Sequence, residues 1–159
     1  MDIPSYKMKF SGQVLERGFW LYVWKICYES NSYFYVGRTG DSSSPNAASP
    51  FNRIGQHLDF RMNAKGSSMA KRLKQAGIDP VRSEFEMIAL GPFFEEQSDF
   101  EAHKPKRDFM ATLEVEAANF LSKRCGQTVL GVHYKSAEVP DDMVLHIQQK
   151  IELFLNEGS

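Results

Sequence analysis

The sequence predicts an α+β domain of the broad α/β class, a small three-stranded antiparallel sheet flanked by helices. Three observations carry that prediction. Two aromatic and β-branched runs, 19–28 and 33–38, lie either side of the polar break Glu29-Ser30-Asn31-Ser32. A third stretch, Val81 to Leu90, alternates weakly, with Phe85, Met87 and Ala89 set against Glu84, Glu86 and Ile88. Two later stretches, within 94–124 and from Pro140 onward, repeat apolar residues at helical spacing.

Taken in order, residues 1–18 lack periodicity and lead into the first strand. The two aromatic runs form a β-hairpin. With the four polar residues as its loop, Tyr28 faces Tyr33. Side chains alternate with period 2, so Tyr22, Trp24 and Ile26 then share a face with Tyr33, Tyr35 and Gly37. Leu21, Val23 and Cys27 share the other face with Phe34 and Val36. Residues 40–50, rich in Ser, Gly and Pro, form a loop. A helix begins near Pro50 and runs to about residue 61, with Arg53 and His57 one turn apart on one face.

Ser67 and Ser68 are expected to cap a second short helix, which carries Lys71, Arg72 and Lys74 and stops at Gly77. The third strand ends at Gly91-Pro92. A long helix occupies much of 94–124, with a break near Pro105, and buries Met110, Leu113, Ala117, Phe120 and Leu121. Residues 125–139 are irregular or partly extended. A final helix buries Met143, Ile147, Ile151 and Phe154 and ends before Gly158.

At 159 residues, 42% hydrophobic and 13% aromatic, the chain 1–159 fits a single folded domain and excludes intrinsic disorder. The net charge of −1 counts against a surface that is basic throughout. Local basic clusters are present at Lys71/Arg72/Lys74, Lys104/Lys106/Arg107 and Lys123/Arg124, each equally suited to a solvated helix face. Cys27 and Cys125 have neither metal-ligand nor disulfide-framework spacing, which fits small core residues in a reducing compartment. His103, His133 and His146 are scattered, and Gly37-Arg38-Thr39-Gly40 lacks the spacing and lysine of a phosphate loop. The acidic run Glu95, Glu96, Asp99 and Glu101 suits the start of a helix. No basic region precedes an apolar run at the start, and no apolar segment reaches the ~20 residues that span a bilayer. The expectation is a soluble intracellular protein, cytoplasmic or nucleoid-associated, with no membrane partner.

Taken singly, paired tyrosines on strands are packing residues, and Arg53 and His57 are surface-helix residues. Together, Tyr22, the run Tyr35-Val36-Gly37, Arg53 and His57 resemble the core of the GIY-YIG nucleases. In that family a first motif ends in a tyrosine and a second reads Tyr-Ile-Gly or close to it. An arginine follows on a helix, often with a histidine, tyrosine or lysine one turn beyond, and a glutamate comes from a later helix. The resemblance covers roughly residues 18–125 and leaves 126–159 as a C-terminal extension with a terminal helix. This chain departs from the pattern in having Trp20-Leu21 where the family has Gly-Ile. It also has no asparagine in Lys123-Arg124-Cys125-Gly126-Gln127-Thr128.

The resemblance implies a metal-dependent endonuclease that hydrolyses nucleic-acid phosphodiester bonds, with DNA the expected substrate, using Mg²⁺ (or Mn²⁺). Such chemistry needs an activated water, neutralised phosphoryl oxygens and help for the leaving oxygen. Tyr22 is then the general base, and Tyr35 fixes the water or a phosphate. Arg53 grips phosphate oxygens with its planar fork, and His57 assists. Gly37, Arg38, Lys71 and Arg72 line the substrate path. Glu114 and Glu116 lie on opposite edges of the long helix's apolar stripe and compete to bind the metal. Glu116 is the expected ligand, because the stretch Glu116-Ala117-Ala118-Asn119-Phe120-Leu121 resembles the family's metal-binding helix, where a glutamate precedes an apolar run, and a single carboxylate suits a largely hydrated Mg²⁺. A catalytically weak nucleic-acid-binding module of the same fold is the alternative, and an unrelated α/β interaction protein is a third reading. In so small a chain, specificity would come from loops such as 40–50, from the 125–139 segment or from a partner protein, and a homodimer is a further expected partner.

Overall fold

The computed structural model of the chain describes residues 2–126, 129–131, 134 and 137–157. Strand β1, Phe19–Tyr28, pairs antiparallel with β2, Asn31–Arg38, on one side and with β3, Glu84–Phe94, on the other. These three strands form the antiparallel sheet expected from the sequence. A two-residue strand β4, Val129–Leu130, adds in parallel along β2, giving the order β3-β1-β2-β4. Because β1 is internal and covered on both faces, its residues from Phe19 to Trp24 are all buried. That explains why its sequence is a continuous apolar run and not a polar–apolar alternation.

The hairpin turn is tighter than the polar break suggests. Tyr28 pairs with Asn31, not Tyr33, so Glu29 and Ser30 alone close it. Glu29 takes a positive φ of 54°. The register differs from the expected one by two residues. Two is one full side-chain period, so both faces keep their expected membership. Tyr22, Trp24, Ile26 and Tyr35 pack together on one face, while Leu21, Val23, Phe34 and Val36 join the core on the other.

Two helices cover each face. Over the tyrosine face lie α1, Pro50–His57, and α2, Ser68–Gln75, which contributes the buried Met69 and Leu73. Over the opposite face lie α3, Phe100–Cys125, and α4, Asp141–Glu157, whose Met110, Leu113, Ala117, Leu121, Ile147 and Ile151 complete the larger core. Of the apolar positions expected to be buried, Phe120, Met143 and Phe154 pack at its margin.

Boundaries differ where local chemistry decides them. Helix α1 ends at His57, short of residue 61, because Leu58 leaves the helical region and Asp59 turns back to hold Arg61. Strand β3 continues past Leu90 through Gly91-Pro92 to Phe94, which an edge strand tolerates because one side of its backbone has no partner strand. Helix α3 is not broken at Pro105. It starts at Phe100 behind Asp99, whose carboxylate accepts the Ala102 amide at 2.9 Å, and Pro105 falls in its sixth position. The hydrogen bond that Pro105 cannot make therefore lies near the helix start, where the chain continues without interruption. Within 125–139, β4 is the extended part; His133 and the Gln127-Thr128 pair lie outside the described residues. Among the described residues, no helix is long and apolar enough to cross a membrane.

Candidate active site

Helix α1 starts with Ser49 accepting the Asn52 amide at 3.2 Å and with Pro50 in the first turn, where its missing N–H is not needed. That start sets the helix phase so that Arg53 and His57 point at the tyrosine face of the hairpin. His57 is 1% exposed and sits between two phenol rings. Its ring centroid is 5.6 Å from that of Tyr22 and 5.4 Å from that of Tyr35, both edge-on. The two tyrosines share one face, as expected.

A hydrogen-bonded chain links these groups. The Tyr22 hydroxyl donates to the Arg38 carbonyl at 3.2 Å and lies 2.5 Å from His57 Nε2. His57 Nδ1 is 3.1 Å from Ser68 Oγ, which is 3.0 Å from the Tyr35 hydroxyl. Arg53 donates through one terminal nitrogen to Gln56 at 2.7 Å and through the other to the Asp41 carboxylate at 3.0 Å. Its Nε is buried and has no hydrogen-bond partner among the described residues. An unpaired buried guanidinium N–H is costly, and an anion brought to it would satisfy it.

Gly37 stands opposite Tyr22 in the β1–β2 pair. A Cβ built on it would lie 2.5 Å from Tyr22 Cε2, so only glycine lets the phenol ring lie across β2 and reach His57.

Burial dominates the electrostatics. It pushes the Tyr22 phenol well above its usual pKa, with the Arg53 charge opposing, and it raises Tyr35, whose bond to Ser68 opposes while Glu114 adds to the rise. Burial first and the Arg53 charge second lower His57 to about 4, so its imidazole is neutral at pH 7.

The two glutamates separate. The Glu114 carboxylate accepts from Arg38 Nε at 3.0 Å and is close enough to Tyr35 for its charge to act on the phenol. Glu116 instead lines a groove of about 460 Å³ beside α4 with Thr112, Glu138 and Asp141. The structure thus places Glu116, the expected metal carboxylate, in that groove away from the hairpin tyrosines, and the competing Glu114 on the edge of α3 that meets β2. Arg38 points to the α3 side, held by Glu114 and by the Arg107 carbonyl at 3.0 Å, and so does not face the tyrosines. Lys71 and Arg72 follow Ser68 by three and four residues on α2, which puts them on its side of the helix.

Two participants were missed in the sequence. Asp41 lies in the loop with no spacing to announce its pairing with Arg53. Ser68 read as a cap, but Ser67 takes the N-cap position and leaves Ser68 to the site.

Among the described residues no cluster of three His, Cys, Asp or Glu side chains could hold a metal ion. A hydrated Mg²⁺ needs only one or two carboxylates, and Glu114, already ion-paired with Arg38 at 3.0 Å, is the carboxylate that acts on Tyr35. Comparison of the chain with protein-family models, with curated proteins and with solved structures finds no match in any of the three.

Proposed function

We propose that the protein is a divalent-metal-dependent endonuclease of the GIY-YIG type acting on nucleic acid, with DNA the preferred substrate. The observation that carries this reading is the convergence of Tyr22, Tyr35, His57 and Arg53 from three elements, with a buried guanidinium N–H left unpaired among them. A phosphodiester oxygen would complete the bonding of Arg53, and Asp41 occupies one terminal nitrogen as an internal anion until it arrives. Tyr22 first releases its own phenol proton to solvent, a step that burial opposes and the Arg53 charge favours, and the phenolate then accepts the proton of the attacking water while a His57 N–H steadies it. Tyr35 orients the water or a phosphate oxygen, and Lys71 and Arg72 hold the backbone beyond the scissile bond. Bound at Glu114, Mg²⁺ or Mn²⁺ would supply charge neutralisation at the phosphoryl oxygens.

A second reading, a binding module of the same fold with weak catalysis, is favoured by the depth of Tyr22, which is 1% exposed. The test incubates purified protein with supercoiled plasmid in Mg²⁺ or Mn²⁺. Tyr22→Phe, Arg53→Ala, Glu114→Gln and Glu116→Gln are run alongside. Nicking by the wild type that falls about 10²–10⁴-fold in Tyr22→Phe supports the enzyme. Binding without nicking selects the module. Loss of nicking in Glu116→Gln alone would reinstate Glu116 as the metal carboxylate.

A further inference from the structure

Ser68 opens α2 and is exposed to solvent, yet its Oγ touches both His57 Nδ1 and the Tyr35 hydroxyl. The protons of this chain can run in two directions. In one, Tyr35 donates to Ser68 and Ser68 donates to His57 Nδ1. His57 Nε2–H then donates to Tyr22, and Tyr22 donates to the Arg38 carbonyl. Every hydroxyl and imidazole proton then has an acceptor within the protein. In the reverse direction Tyr22 turns its proton to His57 Nε2, and the Arg38 carbonyl loses the donor it had in Tyr22. His57 Nδ1–H must then donate to Ser68 Oγ, which accepts from the buried Tyr35 hydroxyl in either direction and turns its own proton to solvent. The first direction keeps the Tyr22–Arg38 bond and turns the Ser68 proton inward to Nδ1, so it forms more hydrogen bonds within the protein. The titratable and charged groups around the imidazole are Tyr22 from β1, Tyr35 from β2, Arg53 from α1 and Asp41 from the loop. None of them bonds to Nδ1; Ser68 does.

We propose that Ser68 is a positioning residue that fixes the tautomer of His57, keeping its proton on Nε2 and aimed at the oxygen of Tyr22. The partner on one ring nitrogen sets the state of the other, so a Ser68 hydroxyl that donates to Nδ1 leaves Nε2–H facing Tyr22. The catalytic consequence rests on the nuclease reading: an N–H donor on Tyr22 stabilises the phenolate that receives the water proton. The tautomer itself does not depend on that reading.

The test uses the full chain with ¹⁵N-labelled histidine. Long-range ¹H–¹⁵N spectra at pH 7 show which nitrogen of His57 bears the proton, with the His57→Gln spectrum assigning the signals. The expected wild-type pattern is Nε2–H. In Ser68→Ala the Nδ1–H form rises at least about threefold, and Ser68→Thr, which retains a hydroxyl, restores Nε2–H. Because Ser68 is exposed, the alanine variant keeps its fold, which the remaining amide shifts verify. An unchanged His57 spectrum in Ser68→Ala, or a wild type already protonated on Nδ1, overturns the assignment. On plasmid, Ser68→Ala lowers kcat about tenfold with KM unchanged and Ser68→Thr recovers it. A wild type that cuts no plasmid sinks the nuclease reading, while the imidazole spectrum still decides the role of Ser68.

Discussion

At residue scale the site depends on one missing side chain. Gly37→Ala would drive a methyl into Tyr22, whose ring is fully buried and cannot retreat without leaving His57. The expected loss is about 1–3 kcal/mol of stability in chemical denaturation, as for other overpacked cores, together with loss of nicking. His57 makes a second prediction. Its folded pKa of about 4 lies below the 6.5 usual for histidine, so between those values the unfolded chain binds more protons. Its contribution to stability is full above pH 6.5 and is lost as pH falls toward 4. Denaturation of the wild type should show about 2 kcal/mol less stability at pH 5 than at pH 7, and His57→Gln should remove most of that difference. An equal fall in both proteins would assign the effect to other groups.

At the scale of elements, the hairpin turn is the weakest piece of backbone. Glu29 holds a left-handed φ of 54° that a glycine adopts freely. Its ion pair with Arg82, at 3.9 Å and with both side chains more than half exposed, stabilises little. Glu29→Gly should therefore raise the denaturation midpoint by an amount worth about 0.5–1 kcal/mol, with nicking unaltered.

The same turn shows what the sequence could and could not disclose. Composition found both strands and alternation assigned their faces, because a two-residue error leaves side-chain parity intact. The tight turn itself stayed hidden, since Glu-Ser carries none of the Asn-Gly chemistry that marks such turns. Parity also failed to choose between Glu114 and Glu116. They sit about 200° apart on α3, and only the packing of that helix against β2 and α4 says which edge meets the site. Asp41 and Ser68 were invisible for a related reason: their roles come from loop closure and helix placement across the sheet, which no local spacing encodes.

For the whole molecule, a net charge of −1 means that nucleic acid would be held by a local patch and not by an overall field. The other two basic clusters are partly engaged: Arg107 pairs with Asp108 and Arg124 with Glu152, each at 2.9 Å. Lys71 and Arg72, one turn along α2 from Ser68, are thus the cations expected to contact phosphates. A Lys71→Ala/Arg72→Ala double variant should weaken DNA binding and reduce the slope of log K against log[salt] by ~2, read from fluorescence anisotropy at several salt concentrations. An unchanged slope would move the contact surface elsewhere.

The two ends of the hairpin are free to have separate histories. Tyr22 and Gly37 pair near its open end, while Glu29 and Ser30 close it just past Tyr28, which lies six residues further along β1, about 20 Å away at the usual strand rise. Residues grafted into that tip lie beyond the reach of the Tyr22–His57–Ser68 chain. The turn is consequently the place where this small scaffold can acquire a recognition loop, or be given one in the laboratory, without rebuilding its chemistry.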